Sequence, residues 1–142
     1  MRHIAIATAL LLIGLAPALG DVRITASNGG DVLAYLKFFD LLQQSGERII
    51  LDGPCLSACT LVLSAIPRER ICVTARAALG FHAARLLDTR SRKIYPAPDA
   101  TQVLASAYPA DVRQWIERHG GLTSRLIILR GRELASLYPR CG

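Results

Sequence analysis

Apolar positions recur at two spacings along this chain. Val22-Arg23-Ile24-Thr25 alternates apolar and polar, which predicts a half-buried strand. Further on, Val32, Leu33, Leu36, Phe39 and Leu42 recur at helical spacing, so a helix is expected from Asp31 to a stop at Gly46. The link between them, Ser27-Asn28-Gly29-Gly30, reads as a turn in which glycine permits positive φ and close backbone approach. Ile49-Ile50-Leu51 predicts a buried strand, residues 53–59 a turn, and residues 58–65 a short buried helix stopped by Pro67. Ile71-Cys72-Val73 is a third strand, and residues 77–81 form a small apolar strand that delivers His82 at its end.

The remaining assignments follow from charge and chain breakers. Arg68-Glu69-Arg70 is a solvated connection, and residues 85–98, polar, basic and proline-containing, are a mobile loop. Helices are expected over 101–107 and 109–119, with Pro109 near the first turn and Gly120-Gly121 as the stop. Residues 122–129 read as either helix or strand, with helix preferred because Thr123 resembles a cap, and 133–137 as one more turn. Strands alternating with helices predict one small α/β domain without internal repeats.

The first residues read differently. Arg2 and His3 precede an apolar run over 4–15, and Ala18-Leu19-Gly20 offers a small-x-small cleavage site. That is the layout of a secretory signal peptide, residues 1–20, leaving 21–142 as the mature domain and a periplasmic or secreted location. The run is short for a transmembrane helix, so the mature protein is expected not to span a membrane. Seventeen Lys and Arg against eleven acids give a net charge of +6. The cations are spread and nearly all arginine, without aromatic interleaving or finger spacing, so nucleic-acid binding is not expected. The charge suits acidic polypeptides or anionic surfaces instead.

All four cysteines, Cys55, Cys59, Cys72 and Cys141, lie in the mature part. In an exported protein an even number favours disulfides. Three pairings exist and the sequence does not choose among them; Cys55 with Cys59 and Cys72 with Cys141 is the one carried forward. Cys55-x3-Cys59 is not a thiol-oxidoreductase spacing, and histidines are few. Neither a metal nor a cofactor is expected, since the chain has no phosphate loop or dinucleotide fingerprint.

Ser57 sits where the strand over 49–51 gives way to the next helix. The backbone N–H groups of a first helical turn lack partners and can face developing negative charge. Gly29-Gly30 opening a helix, Ser57 after the next strand and His82 at the end of another stand in one order. In that order the chain resembles the Clp protease proteolytic subunit of the Clp/crotonase superfamily. It is similar within it to small exported Clp-like proteins with a Cys-x-Ser-Ala-Cys signature, matched by Cys55-Leu56-Ser57-Ala58-Cys59. The likeness covers about 24–82.

The resemblance implies a ββα superhelix and a serine hydrolase acting on peptides or proteins. By that likeness Ser57 is the nucleophile, His82 the general base, and the N–H groups of Gly29, Gly30 and Ala58 form the oxyanion hole. It leaves homo-oligomerisation open. One departure stands out: the family's downstream aspartate has no counterpart, because that region reads Arg130-Gly131-Arg132-Glu133. A Ser57–His82 dyad is therefore expected. The alternative is a catalytically silent module that keeps the fold for interaction or oligomerisation. His119, at a helix end, and Trp115 are expected to be structural.

Overall fold

The computed structural model describes residues 20–142, so the expected signal peptide lies outside the described residues except for Gly20. The chain makes three passes through two sheets. The first pass is β1 (Asp21–Ile24), a bridge from Ser27 to Cys55, and α1 (Val32–Ser45). The second is β2 (Arg48–Leu51), β3 (Pro54–Leu56), a 3-10 turn over Ser57–Leu61 and α2 (Val62–Ala65). The third is β4 (Ile71–Val73) and β5 (Ala78–Phe81). One sheet runs β1-β2-β4, all parallel. In the other, β3 and β5 are parallel and β8 (Ile127–Arg130) closes antiparallel to β5. The result is a mixed α/β domain around one apolar core.

Each pass crosses from sheet to sheet through a short link, and Asp52 ties these links together. Its carboxylate is buried and accepts hydrogen bonds from Arg76, from Thr74 Oγ1 at 2.7 Å and from Arg23 at 2.7 Å. Those contacts, Arg76 first, hold it well below the usual carboxylate range. Beside it the backbone crosses so tightly that a Cβ on Gly53 would lie 1.8 Å from Thr25 O. Only glycine fits there.

Helix α1 ends as its sequence predicts and begins one residue later than expected, at Val32. Asp31 is the N-cap rather than a first-turn residue, accepting from Ala34 N at 2.8 Å, and Gly46 ends the helix at φ 78°. Only Phe39 and Leu42 are buried, whereas Leu33 and Leu36 face outward with Phe38 and Leu41. The periodicity marked the helix but not which stripe packs inward.

Four further expectations need correction. Residues 53–59 are not all turn, because Pro54–Leu56 pairs with β5 before the chain reverses. Arg68 and Arg70 are not merely solvated. Arg70 donates to the carbonyls of Leu42, Gln43 and Glu47 at the end of α1, and Arg68 pairs with Asp111 and lies over the Tyr138 ring. Residues 85–98 are not a featureless loop. Their apolar pairs, Leu86 with Tyr95 and Leu87 with Ile94, form the antiparallel hairpin β6 (Arg85–Leu87) and β7 (Ile94–Pro96). Finally, 122–129 is no helix: Thr123 uses its carbonyl to accept from Ala83 N, and Ile127 and Leu129 alternate into the core as β8.

The remaining helices are α3 (Pro98–Ala107), α4 (Ala110–Arg118) and α5 (Gly131–Leu137). Trp115 and Phe81 meet in the core at 6.0 Å between centroids, as expected of a buried tryptophan. His119 stacks on Trp115 and bonds to its carbonyl, in keeping with a structural role. Two disulfides join Cys55 to Cys59 and Cys72 to Cys141. The second fastens the C-terminus along β4, where Val73 bridges Arg140. Among the described residues no helix is long and apolar enough to cross a membrane.

Candidate active site

Ser57 follows directly on the last residue of β3 with φ +56°, left-handed backbone that a side chain adopts at a cost. Three contacts fix it there. The disulfide joins the residues on either side, Cys55 in the strand and Cys59 in the 3-10 turn. Thr60 Oγ1 reaches back to the Ser57 carbonyl at 2.7 Å, and Tyr108 OH lies 2.6 Å from Thr60 Oγ1. A carbonyl can only accept, so the Thr60 hydrogen goes to Ser57 O and Tyr108 donates to Thr60. Thr60 and Tyr108 are buried, and burial pushes the Tyr108 phenol above its ordinary range.

The glycine turn closes over the serine. Gly29, at φ +78°, approaches so closely that a Cβ on it would be 2.6 Å from Ser57 Cβ and 2.9 Å from Ala58 N. Ser27 organises this turn. Its backbone N–H and carbonyl bond Pro54 O and Leu56 N, and its hydroxyl meets Tyr35 OH at 2.6 Å. Gly29 N–H faces that hydroxyl at 3.3 Å. The N–H of Gly30 has no acceptor among the described residues, and that of Ala58, in the first helical turn, has no intrahelical one.

His82 follows the end of β5. Its Nδ1 lies 2.6 Å from Ala83 O. Because a carbonyl can only accept, Nδ1 donates to it, and Nε2 makes no hydrogen bond among the described residues. Ser57, Ala58, Gly29, Gly30 and His82 line one cavity of about 270 Å³, walled also by Leu104, Thr101 and Tyr108. No hydrogen bond joins Ser57 to His82 in this structure.

Among the described residues no carboxylate lines this cavity. Three of the downstream acids, Asp88, Asp111 and Glu133, have partners elsewhere. Asp111 pairs with Arg68, which holds its carboxyl below the ordinary value. Asp88 accepts from Ser91 and from the backbone of its own turn. Glu133 lies 3.9 Å from His119. Among the described residues no cluster suits a metal ion.

Reading the sequence singled out Ser57, His82 and the glycines but missed Thr60, Tyr108 and Ser27. Thr60, three residues beyond a serine at a helix start, carried a legible signal, since a threonine there can bond back to that residue's carbonyl. Tyr108 carried none, because only the fold brings it there from another helix.

No protein-family model matches the chain, and no curated protein does. Among solved structures it is similar to a mutant of ClpP1 from Listeria monocytogenes. The two are 15% identical with a TM-score of 0.49, over 84% of this chain and 71% of that one. At that level of agreement the likeness carries no argument about reaction or residues.

Proposed function

We propose that this protein is a serine hydrolase of the Clp/crotonase type, acting on peptide or protein substrates through a Ser57–His82 dyad. The observation that carries the reading is the shared cavity, lined both by a serine on a strained strand-to-helix turn and by a histidine whose Nδ1 is held by the Ala83 carbonyl. His82 Nε2 takes the hydroxyl proton as Ser57 Oγ attacks the substrate carbonyl. The N–H groups of Gly30 and Ala58 hold the resulting oxyanion, with Gly29 beside them. The imidazolium then protonates the leaving amine, and water releases the acyl group from Ser57 by the same steps.

The Clp/crotonase assignment is supported by the three strand–strand passes and by the order Gly29-Gly30, Ser57, His82. Two disulfides support an oxidising compartment, and with it the reading of an exported, periplasmic protein. A second reading, a catalytically silent binding module, is favoured by the cavity's lack of a carboxylate.

A fluorophosphonate probe decides between them. The enzyme reading expects covalent labelling of the folded protein that is lost in Ser57→Ala and strongly slowed in His82→Ala. A folded wild-type protein that never labels would establish the silent module instead.

A further inference from the structure

The hairpin β6–β7 stands apart from the core. Leu86, Leu87, Ile94 and Tyr95 are between 45% and 63% exposed, an unusual load of bare apolar surface for a two-stranded ribbon, which is marginal on its own in water. Its cations Arg85, Arg90, Arg92 and Lys93 are all exposed, and none joins an ion pair among the described residues. The one acid, Asp88, is engaged within its own turn, accepting from Arg90 N, Ser91 N and Ser91 Oγ. The base of the ribbon is tied to the candidate site, since Ala97 N donates to Ala84 O and Ala84 N to Thr101 Oγ1. Its first residue, Arg85, lines the Ser57 cavity and is the only Lys, Arg, Asp or Glu among the described residues that does.

We infer that Arg85 and the cationic hairpin are a docking surface for an extended acidic polypeptide, so that the substrate carries carboxylates close to the carbonyl that Ser57 attacks. The inference rests on the hydrolase reading for that last clause alone. Three occupants compete for such a surface, and two fit it poorly. A second copy would bring like cations together, which opposes pairing. An anionic bilayer takes apolar side chains from one face of an element. Here the register puts Leu86 with Tyr95 on one face of the ribbon and Leu87 with Ile94 on the other. An extended polypeptide can wrap a two-faced ribbon, pair carboxylates with the arginines and cover the apolar side chains with its own. The net charge of +6 favours its approach.

Binding is best measured on Ser57→Ala protein, by fluorescence anisotropy of short dye-labelled peptides of Glu and Leu, with Lys or Gln replacing Glu in the controls. The acidic peptide should bind about tenfold or more tighter than the basic one at low salt, and the advantage should shrink at about 0.5 M salt as charges are screened. Arg85→Ala should weaken the acidic peptide several-fold. Arg90→Glu with Arg92→Glu, which changes exposed positions only, should invert the preference. Equal binding of acidic and basic peptides, or tight binding to phosphatidylglycerol vesicles with none to the acidic peptide, would overturn the inference. Because this protein cannot react, a failure here leaves serine labelling of the wild type untouched. A failure to label, in turn, leaves the docking surface standing.

Discussion

Gly29, in the turn that opens α1, packs against Ser57 in the second pass of the chain, and no other residue fits. A methyl group on it would sit 2.5 Å from Leu56 O and 2.6 Å from Ser57 Cβ, at a backbone φ of +78°. Gly29→Ala should therefore push the turn off the serine. We expect a loss of at least about 1–3 kcal/mol of stability in denaturant unfolding, with serine labelling abolished. A variant of wild-type stability that labels normally would show that the turn yields without consequence.

His82 is oriented by Ala83 O rather than by an acid. Replacing single carboxylates should accordingly leave labelling within about tenfold, or ~1.4 kcal/mol, of wild type. Glu133→Gln and Asp99→Asn are the informative changes, because both side chains are exposed. A loss in Glu133→Gln as deep as in His82→Ala, with circular dichroism intact, would reveal an acid acting on the histidine.

The sequence carried the local features and missed those made by distant parts of the chain. Gly46, the alternating strand β1 and the short apolar strands β4 and β5 are written in neighbouring residues, and they form as read. The exchange of Leu33 and Leu36 for an outward position depended on which sheet face the helix met. Residues 122–129 misled because Ile127 and Leu129 gain their meaning from Phe81 and Leu79 opposite them on β5. The hairpin hid for a similar reason, its polar turn being more conspicuous than the short apolar pairs that close it. Within the candidate site, Ser57, His82 and the glycines were legible as motifs. Tyr108, 48 residues beyond Thr60, was not.

Thr60 holds the Ser57 carbonyl and is itself held by Tyr108. Thr60→Val removes both bonds and strands a buried phenol, so a loss of about 1–3 kcal/mol is expected in urea unfolding. Thr60→Ser keeps the hydroxyl and should restore most of the labelling rate. If Val and Ser label equally, the hydroxyl does not position the serine.

Tyr138 is buried, its hydroxyl has no partner among the described residues, and desolvation pushes its phenol up to about 12 from an ordinary 10.0. The folded state holds this proton more tightly than the unfolded chain does. Its contribution is thus complete below pH 10 and is lost as pH rises towards 12. Tyr138→Phe keeps the ring beneath Arg68 and removes a hydroxyl that nothing satisfies. Its thermal stability at neutral pH should equal or exceed wild type, and its decline between pH 10 and 12 should be shallower. A marked loss at neutral pH would mean that the hydroxyl has a partner after all.

The two disulfides close loops of very different length, with sequence separations of 4 and 69. By chain entropy the longer should contribute about 4 kcal/mol and the shorter about 2 kcal/mol. Cys72→Ala with Cys141→Ala should therefore lower stability more than Cys55→Ala with Cys59→Ala, while affecting serine labelling less per kcal/mol lost. Equal effects on labelling at equal stability would remove any special link between the short bridge and Ser57.

Cys55 and Cys59 are both fully buried, beneath the turn they span. Neither small thiols nor oxidants reach them without the core opening, so that bond belongs to the moment of folding. A molecule that closes its core reduced keeps its thiols sealed in and its serine turn unclamped. Oxidant added later acts only as fast as the core opens. The state of the bond beneath the Ser57 turn would then be set by the chemistry of the place where the chain folded, whatever surroundings it meets afterwards.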